Sequence, residues 1–235
     1  MERWRGRPAG RTCARAAVLI VLASALGCTS AARPRPDLGA PAPPPPASVR
    51  IIGTVTIADD LLARRMDALA ERSASWRAGM DSIQAAGFHM VVAGPAAVRQ
   101  MVRGLENYAP EHLGEVVPLR DPTGAIAGAV VTIDLPRLER LWRRTGLPRS
   151  VFEADVDRIL IHEVYGHVVP LAASRSIDGG CPDPKPGAPA LTSCAIRREN
   201  VIRKELGIEP RLAYDLSGLA IGRYLERGFY GPNEP

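Results

Sequence analysis

The sequence predicts an α+β domain, on three observations. β-rich runs occur at 51–57, 88–93 and 116–133. Helical periodicity fills 59–86, where Leu61, Leu62, Met66, Leu69 and Ala70 recur at three and four. Two further helices follow, one opened at Ser150 and one over 193–206, and both place polar residues among aliphatic ones.

Ile51-Ile52-Gly53-Thr54-Val55-Thr56-Ile57 reads as one strand, rich in β-branched residues. The helical stretch 59–86 continues through Trp76, Met80 and Ile83, with Gly79 as its expected break into two helices. Phe88-His89-Met90-Val91-Val92-Ala93 is the second strand, ended by Gly94-Pro95, and 96–105 is a short helix. Val116 to Arg120, the turn Asp121-Pro122-Thr123-Gly124 and the run 125–133 make a hairpin. A short helix at 135–144 is closed by Gly146 and Pro148. Ser150-Val151-Phe152-Glu153 has the form of a capping box, in which Ser and Glu satisfy free N–H groups at a helix start. Regularity stops after Pro170, and 174–192 is a Gly- and Pro-rich loop. The helix 193–206 ends at Gly207, and 214–227 holds one more.

The chain divides into three parts. Residues 1–27 read as an export signal: an Arg-rich start, then the apolar run Ala16 to Ala23, too short to span a bilayer. Ala25-Leu26-Gly27-Cys28 resembles a bacterial lipoprotein box, which implies lipidation of Cys28, a membrane anchor and, with Thr29 next, the outer membrane. An ordinary secretory signal is the alternative. Residues 28–48, with Pro41 and Pro43 to Pro46, form an extended tether, and 49–235 is the folded domain. Four of the five net positive charges lie in the first 27 residues. The domain is thus nearly neutral with interspersed charges, which argues against nucleic-acid binding. Cys181 and Cys194 suit one disulfide in an oxidising compartment, with zinc thiolates as the rival reading.

His162-Glu163-Val164-Tyr165-Gly166-His167 carries the chemistry. Two of the four histidines and a carboxylate fall within six residues of an apolar helix. Two imidazoles suit zinc, and a carboxylate beside the first can work on an activated water. On an α-helix, with about 100° per residue, positions five apart diverge by about 140°. One residue bulged out in π fashion restores convergence. Gly166 bends cheaply, and Pro170 has no N–H for the Gly166 carbonyl. Otherwise the histidines face different ways. Glu199 shares a face with Ile196, Ile202 and Leu206, where an inward carboxylate needs a metal or a partner such as Arg203. Glu205 falls off that face. Tyr165 and Tyr214 are candidate hydrogen-bond donors to an oxyanion, or ordinary packing residues. Asn200 is a candidate support for the histidines, while His89 and His112 read as structural or exposed.

The motif resembles the gluzincins, zinc peptidases whose third ligand is a glutamate on a second helix. Its longer spacing is similar to the His-Glu-Leu-Leu-Gly-His signature of the dipeptidyl peptidase III family. The segment around Glu199 also resembles small zincin-like domains of bacterial secreted toxins. The resemblance implies a zincin-like fold, with a small sheet packed beside an active-site helix and a second, glutamate-bearing helix. It further implies His162, His167 and Glu199 as zinc ligands and Glu163 as general base. Arg198-Glu199-Asn200 departs from the paired glutamates of the larger family. The function expected is a zinc-dependent metallopeptidase acting on peptide or protein substrates, with Tyr214 as an auxiliary catalytic residue. The alternative is a non-catalytic lipid-anchored binding protein that keeps the fold or a structural zinc site.

Overall fold

A computed structural model describes residues 49–176, 193–212 and 219–222. The export signal, the tether, Cys181 and Tyr214 lie outside the described residues, as does most of the helix expected at 214–227. Within them the chain is α+β, with one five-stranded mixed sheet in the order β1-β2-β3-β5-β4.

The first run folds differently from the single strand expected. Gly53, at φ +57°, turns the chain back, so β1 (Arg50–Ile52) and β2 (Val55–Ile57) pair antiparallel as a hairpin. β2 then pairs parallel with β3 (His89–Ala93), and β3 pairs parallel with β5 (Ile126–Ile133). β4 (Gly114–Arg120) closes the far edge, antiparallel to β5. β5 is buried along nearly its whole length, as a central strand covered on both faces must be.

Two helices cross from β2 to β3. Asp59 caps α1 (Asp60–Arg72) by accepting from the N–H groups of Leu61 and Leu62. The break to α2 (Ala74–Ala85) comes at Ser73, not at Gly79. Ser73 is extended, ends α1, and caps α2 by accepting from Trp76 N–H at 2.9 Å. Gly79 remains inside α2 because Tyr165 packs over it: a Cβ there would lie 2.9 Å from Tyr165 Cδ2.

α3 (Pro95–Met101) begins with proline, and α4 (Leu135–Arg143) is capped by Asp134. α5 (Arg149–Leu160) starts just before the expected capping box, with Pro148 at the cap and no side-chain cap bond. Starting there places Ser150 inside the first turn, and Glu153 turns instead to Arg65, 3.3 Å away. Arg65 also forms a two-pronged bond to buried Asp157, at 2.7 and 2.5 Å, tying α1 to α5. α7 (Cys194–Glu205) completes the helices named here, and Ala220–Gly222 are helical.

The larger core fills the space between the sheet and α1, α2, α5 and the motif helix. It contains Trp76, Phe88, Phe152, Leu160 and Val131. Ala93, Val98 and Val130 form a smaller cluster against α3.

Ser73 also donates to Glu205 Oε2 at 2.6 Å, joining the end of α7 to the start of α2. The bonds from Ser73 and Ser75 hold the Glu205 carboxyl below its ordinary range. Ser73→Ala is expected to lower stability by about 1–2 kcal/mol at neutral pH, measured by chemical denaturation. A depressed carboxyl contributes above its unfolded pKa and stops contributing as pH falls through its folded value. The difference between Ser73→Ala and the parent should therefore narrow in acid.

Candidate metal centre

α5 continues without a break into a π-helix (Ile161–Val168) and then α6 (Val169–Ser174). The Val169 N–H bonds to the Val164 carbonyl, five residues back. Pro170 has no N–H with which to draw the Gly166 carbonyl into an i→i+4 bond. Gly166 also lets α7 approach closely, since a Cβ there would sit 3.3 Å from Ala195 Cβ. The expected bulge is present, and it spans eight residues rather than one turn.

This winding stacks residues five apart. The rings of His162 and His167 meet edge to face, with centroids 4.9 Å apart and planes at 82°. Their Nε2 atoms are 3.3 Å from each other. Tetrahedral zinc with Zn–N bonds near 2.0–2.1 Å needs two nitrogens about 3.3–3.4 Å apart. The pair fits that ion. Burial, with His162 and Arg198 nearby, pushes His167 down to about 4, so its imidazole is neutral near pH 7.

Glu199 reaches the pair from α7, fully buried. Its Oε2 accepts from His162 Nδ1 at 2.8 Å and lies 3.2 Å from Arg211 Nη1. Its Oε1 accepts from Arg203 Nε at 2.6 Å. The carboxylate thus meets His162 at Nδ1, whereas His167 meets it at Nε2. Both the buried, inward carboxylate and the Arg203 partner expected from the sequence are present. Burial alone would raise this carboxyl; the His162 bond, Arg203 and Arg211 outweigh it and hold the group below its ordinary value. Among the described residues no group of three His, Cys, Asp or Glu side chains converges as a metal cage.

Glu163 is buried beside His162, in a notch that Gly114 leaves in β4. Burial raises its carboxyl above the usual range, against the pull of His162 and Arg211. His162, His167, Glu163 and Glu199 all line one cavity of about 560 Å³, walled also by Gly114 and Arg158. That volume lies within the range of small-molecule sites.

The other candidates scatter. Tyr165 packs toward α2 and borders a different, shallower pocket with Val169 and Arg198. Glu205 is exposed and held by Ser73 and Ser75. His89 is exposed; His112 is exposed too but stands in the cavity wall. Asn200 supports the site indirectly by gripping the backbone of Arg211, accepting from its N–H at 2.7 Å and donating to its carbonyl at 3.0 Å.

Several contributors escape sequence reasoning. Arg211 follows a turn with no periodicity to mark it. Tyr108 donates to Glu115 Oε2 at 3.0 Å across seven residues, and burial first, then Glu115, push its phenol up to about 12. Gly114 sits two residues before the expected strand start, and its lack of a side chain is the one signal that something packs there. Asp155 pairs with Arg158 and accepts from Ala220 and Ile221 N–H at 2.7 and 3.0 Å.

In Gly114→Ala the new methyl would fall 2.7 Å from Glu163 Oε1 and 2.6 Å from Ile159 Cγ2. Overpacking of this kind should cost about 1–3 kcal/mol in denaturant unfolding. The chain matches no protein-family model, no curated protein and no solved structure.

Proposed function

We propose that the chain is a zinc-dependent hydrolase of zincin-like architecture, exported on a lipid anchor at Cys28, with peptide bonds as its target. The observation that carries this reading is the 3.3 Å approach of His162 and His167 Nε2, with Glu163 in the same cavity wall. Glu199 accepts from Nδ1–H of His162, which fixes the tautomer and leaves the Nε2 lone pair for the metal. His162 and His167 would hold zinc, which would supply Lewis acidity toward a carbonyl oxygen and lower the pKa of a water. The Glu163 carboxylate would then be placed to take a proton from a water and deliver it to the leaving amine. Its burial keeps bulk water from competing for the proton.

The sheet edge supplies a track for an extended peptide. Asp134 N–H bonds to the Leu113 carbonyl at 2.9 Å, so the antiparallel alternation turns the backbone groups of Gly114, Val116 and Pro118 away from β5. Gly114 and Val116 line the cavity, and Pro118, lacking an N–H, ends the row of free donors. A peptide added there pairs with two residues beside Glu163.

The test uses the mature chain, residues 28–235, with elemental analysis and a peptide-hydrolysis assay. The parent should carry zinc near one to one, and His162→Ala should lose it. Glu163→Gln should keep the metal and lose hydrolysis by roughly 10²- to 10⁴-fold. Zinc retained in His162→Ala, or full hydrolysis by Glu163→Gln, contradicts the proposal.

A further inference from the structure

Four arginines line the cavity: Arg137, Arg158, Arg203 and Arg211. Arg203 and Arg211 brace Glu199. The other two have a different situation. Arg158 lies one turn before His162 on the continuous α5 and π-helix, and its side chain is 12% exposed. One of its nitrogens, Nη1, pairs with Asp155. Asp155 is itself occupied by the N–H groups of Ala220 and Ile221. Among the described residues no buried side-chain nitrogen lacks a hydrogen-bond partner. Arg158 lines the cavity, and the donors that Asp155 leaves unused are not buried. Arg137, in the first turn of α4, is exposed at the same cavity. Among the described residues its guanidinium bonds to the Glu111 carbonyl at 3.0 Å and makes no ion pair with a carboxylate.

We propose that Arg158, with Arg137 at the rim, binds a carboxylate of the substrate next to the bond that is cut. The inference rests on the hydrolase reading for the word substrate, but the binding site stands on its own geometry. A guanidinium offers two parallel N–H donors, the shape a carboxylate takes. Leu141 from α4, Ile159 from α5 and Leu219 line the same cavity, so an ion pair there would be partly shielded from water. Four acidic residues also line the cavity: Glu199 is braced by Arg203 and Arg211, and Glu111, Glu115 and Glu163 sit on or against β4 and its approach, so the anion belongs at the two arginines whose guanidinium groups pair with none of these carboxylates. Two sources supply the same chemistry: the free C-terminal carboxylate of a short peptide, and an acidic side chain within a longer one.

The experiment measures binding, not turnover, so it is independent of hydrolysis. Glu163→Gln protein, with and without zinc, is titrated calorimetrically with two matched peptide pairs. One pair is an N-acetylated tri-alanine as free acid and as carboxamide. The other is a longer, doubly blocked alanine peptide carrying one central aspartate or asparagine. An acid should bind about ten- to a hundredfold tighter than its neutral match in at least one pair, and the pair identifies the source. Added Arg158→Lys should shrink that ratio to a few-fold, and Arg137→Gln should reduce it in part. Arg137 is exposed, so that variant should melt like its parent and guards against misfolding of the Arg158 variant. Equal binding of acid and neutral forms in both pairs overturns the proposal, as does a ratio untouched by either substitution. Peptide hydrolysis by the parent chain without an acid preference would sink this inference alone. An acid preference in a chain that neither holds zinc nor cleaves peptides would sink the hydrolase reading alone.

Discussion

Pro170 leaves the motif helix one hydrogen-bond donor short, and the meeting of the two histidines in the cavity follows from how the backbone accommodates that loss. The helix shifts to bonds that reach five residues back, as at Val169 and Val164. In an α-helix the two histidines would point about 140° apart. In this winding they share a face and their Nε2 atoms come within 3.3 Å. π stretches are rare and tend to persist where function requires them. Here Gly166 makes the stretch tolerable by letting Ala195 close over it, and Gly79 on α2 makes room for Tyr165.

A chain of buried charges then locks the elements around that helix. Glu199 joins α7 to His162, to Arg203 on its own helix and to Arg211 beyond it. Asn200 holds the Arg211 backbone from both sides. Asp155 fastens the segment at Ala220 and Ile221 to α5, and Asp157 fastens α1. Burying such pairs yields little net stability, because desolvation offsets the attraction. Their value is positional: slippage of α7 away from these partners would strand a buried charge at a cost of about 3–5 kcal/mol. The C-terminal end of α7 is also tied to Ser73 and Ser75 through Glu205, which adds a second hold on the helix that supports His162.

Much of this was legible in the sequence, for reasons that are local. The run at 88–93 and the hairpin around Asp121 to Gly124 carry their patterns in adjacent residues, and the short helix expected at 135–144 and closed by Gly146 and Pro148 runs over 135–143. The π winding was legible because the six-residue spacing, Gly166 and Pro170 conflict with an α-helix. The misreadings arise where several readings satisfy the same local rule. Gly53 sits in a β-rich run, yet its positive φ makes a turn. Gly79 is a poor helix former, yet a neighbouring ring needs the space, and Ser73 makes the break instead. Ser150 and Glu153 have capping-box spacing, but Arg65 draws Glu153 away. The burial of Glu199 followed from its helical face; which ring nitrogen of His162 it meets depends on how two helices cross, and no local pattern holds that. Arg211 and the Tyr108–Glu115 bond depend on tertiary contact in the same way.

Anomalous diffraction at the zinc edge, from crystals of the zinc-loaded chain, tests the central claim most directly. The account predicts one peak about 2.0–2.1 Å from Nε2 of both His162 and His167, with Glu199 still on the Nδ1 side. A peak bound to one of the two rings alone, or an α-helical motif with the rings turned apart, would contradict it.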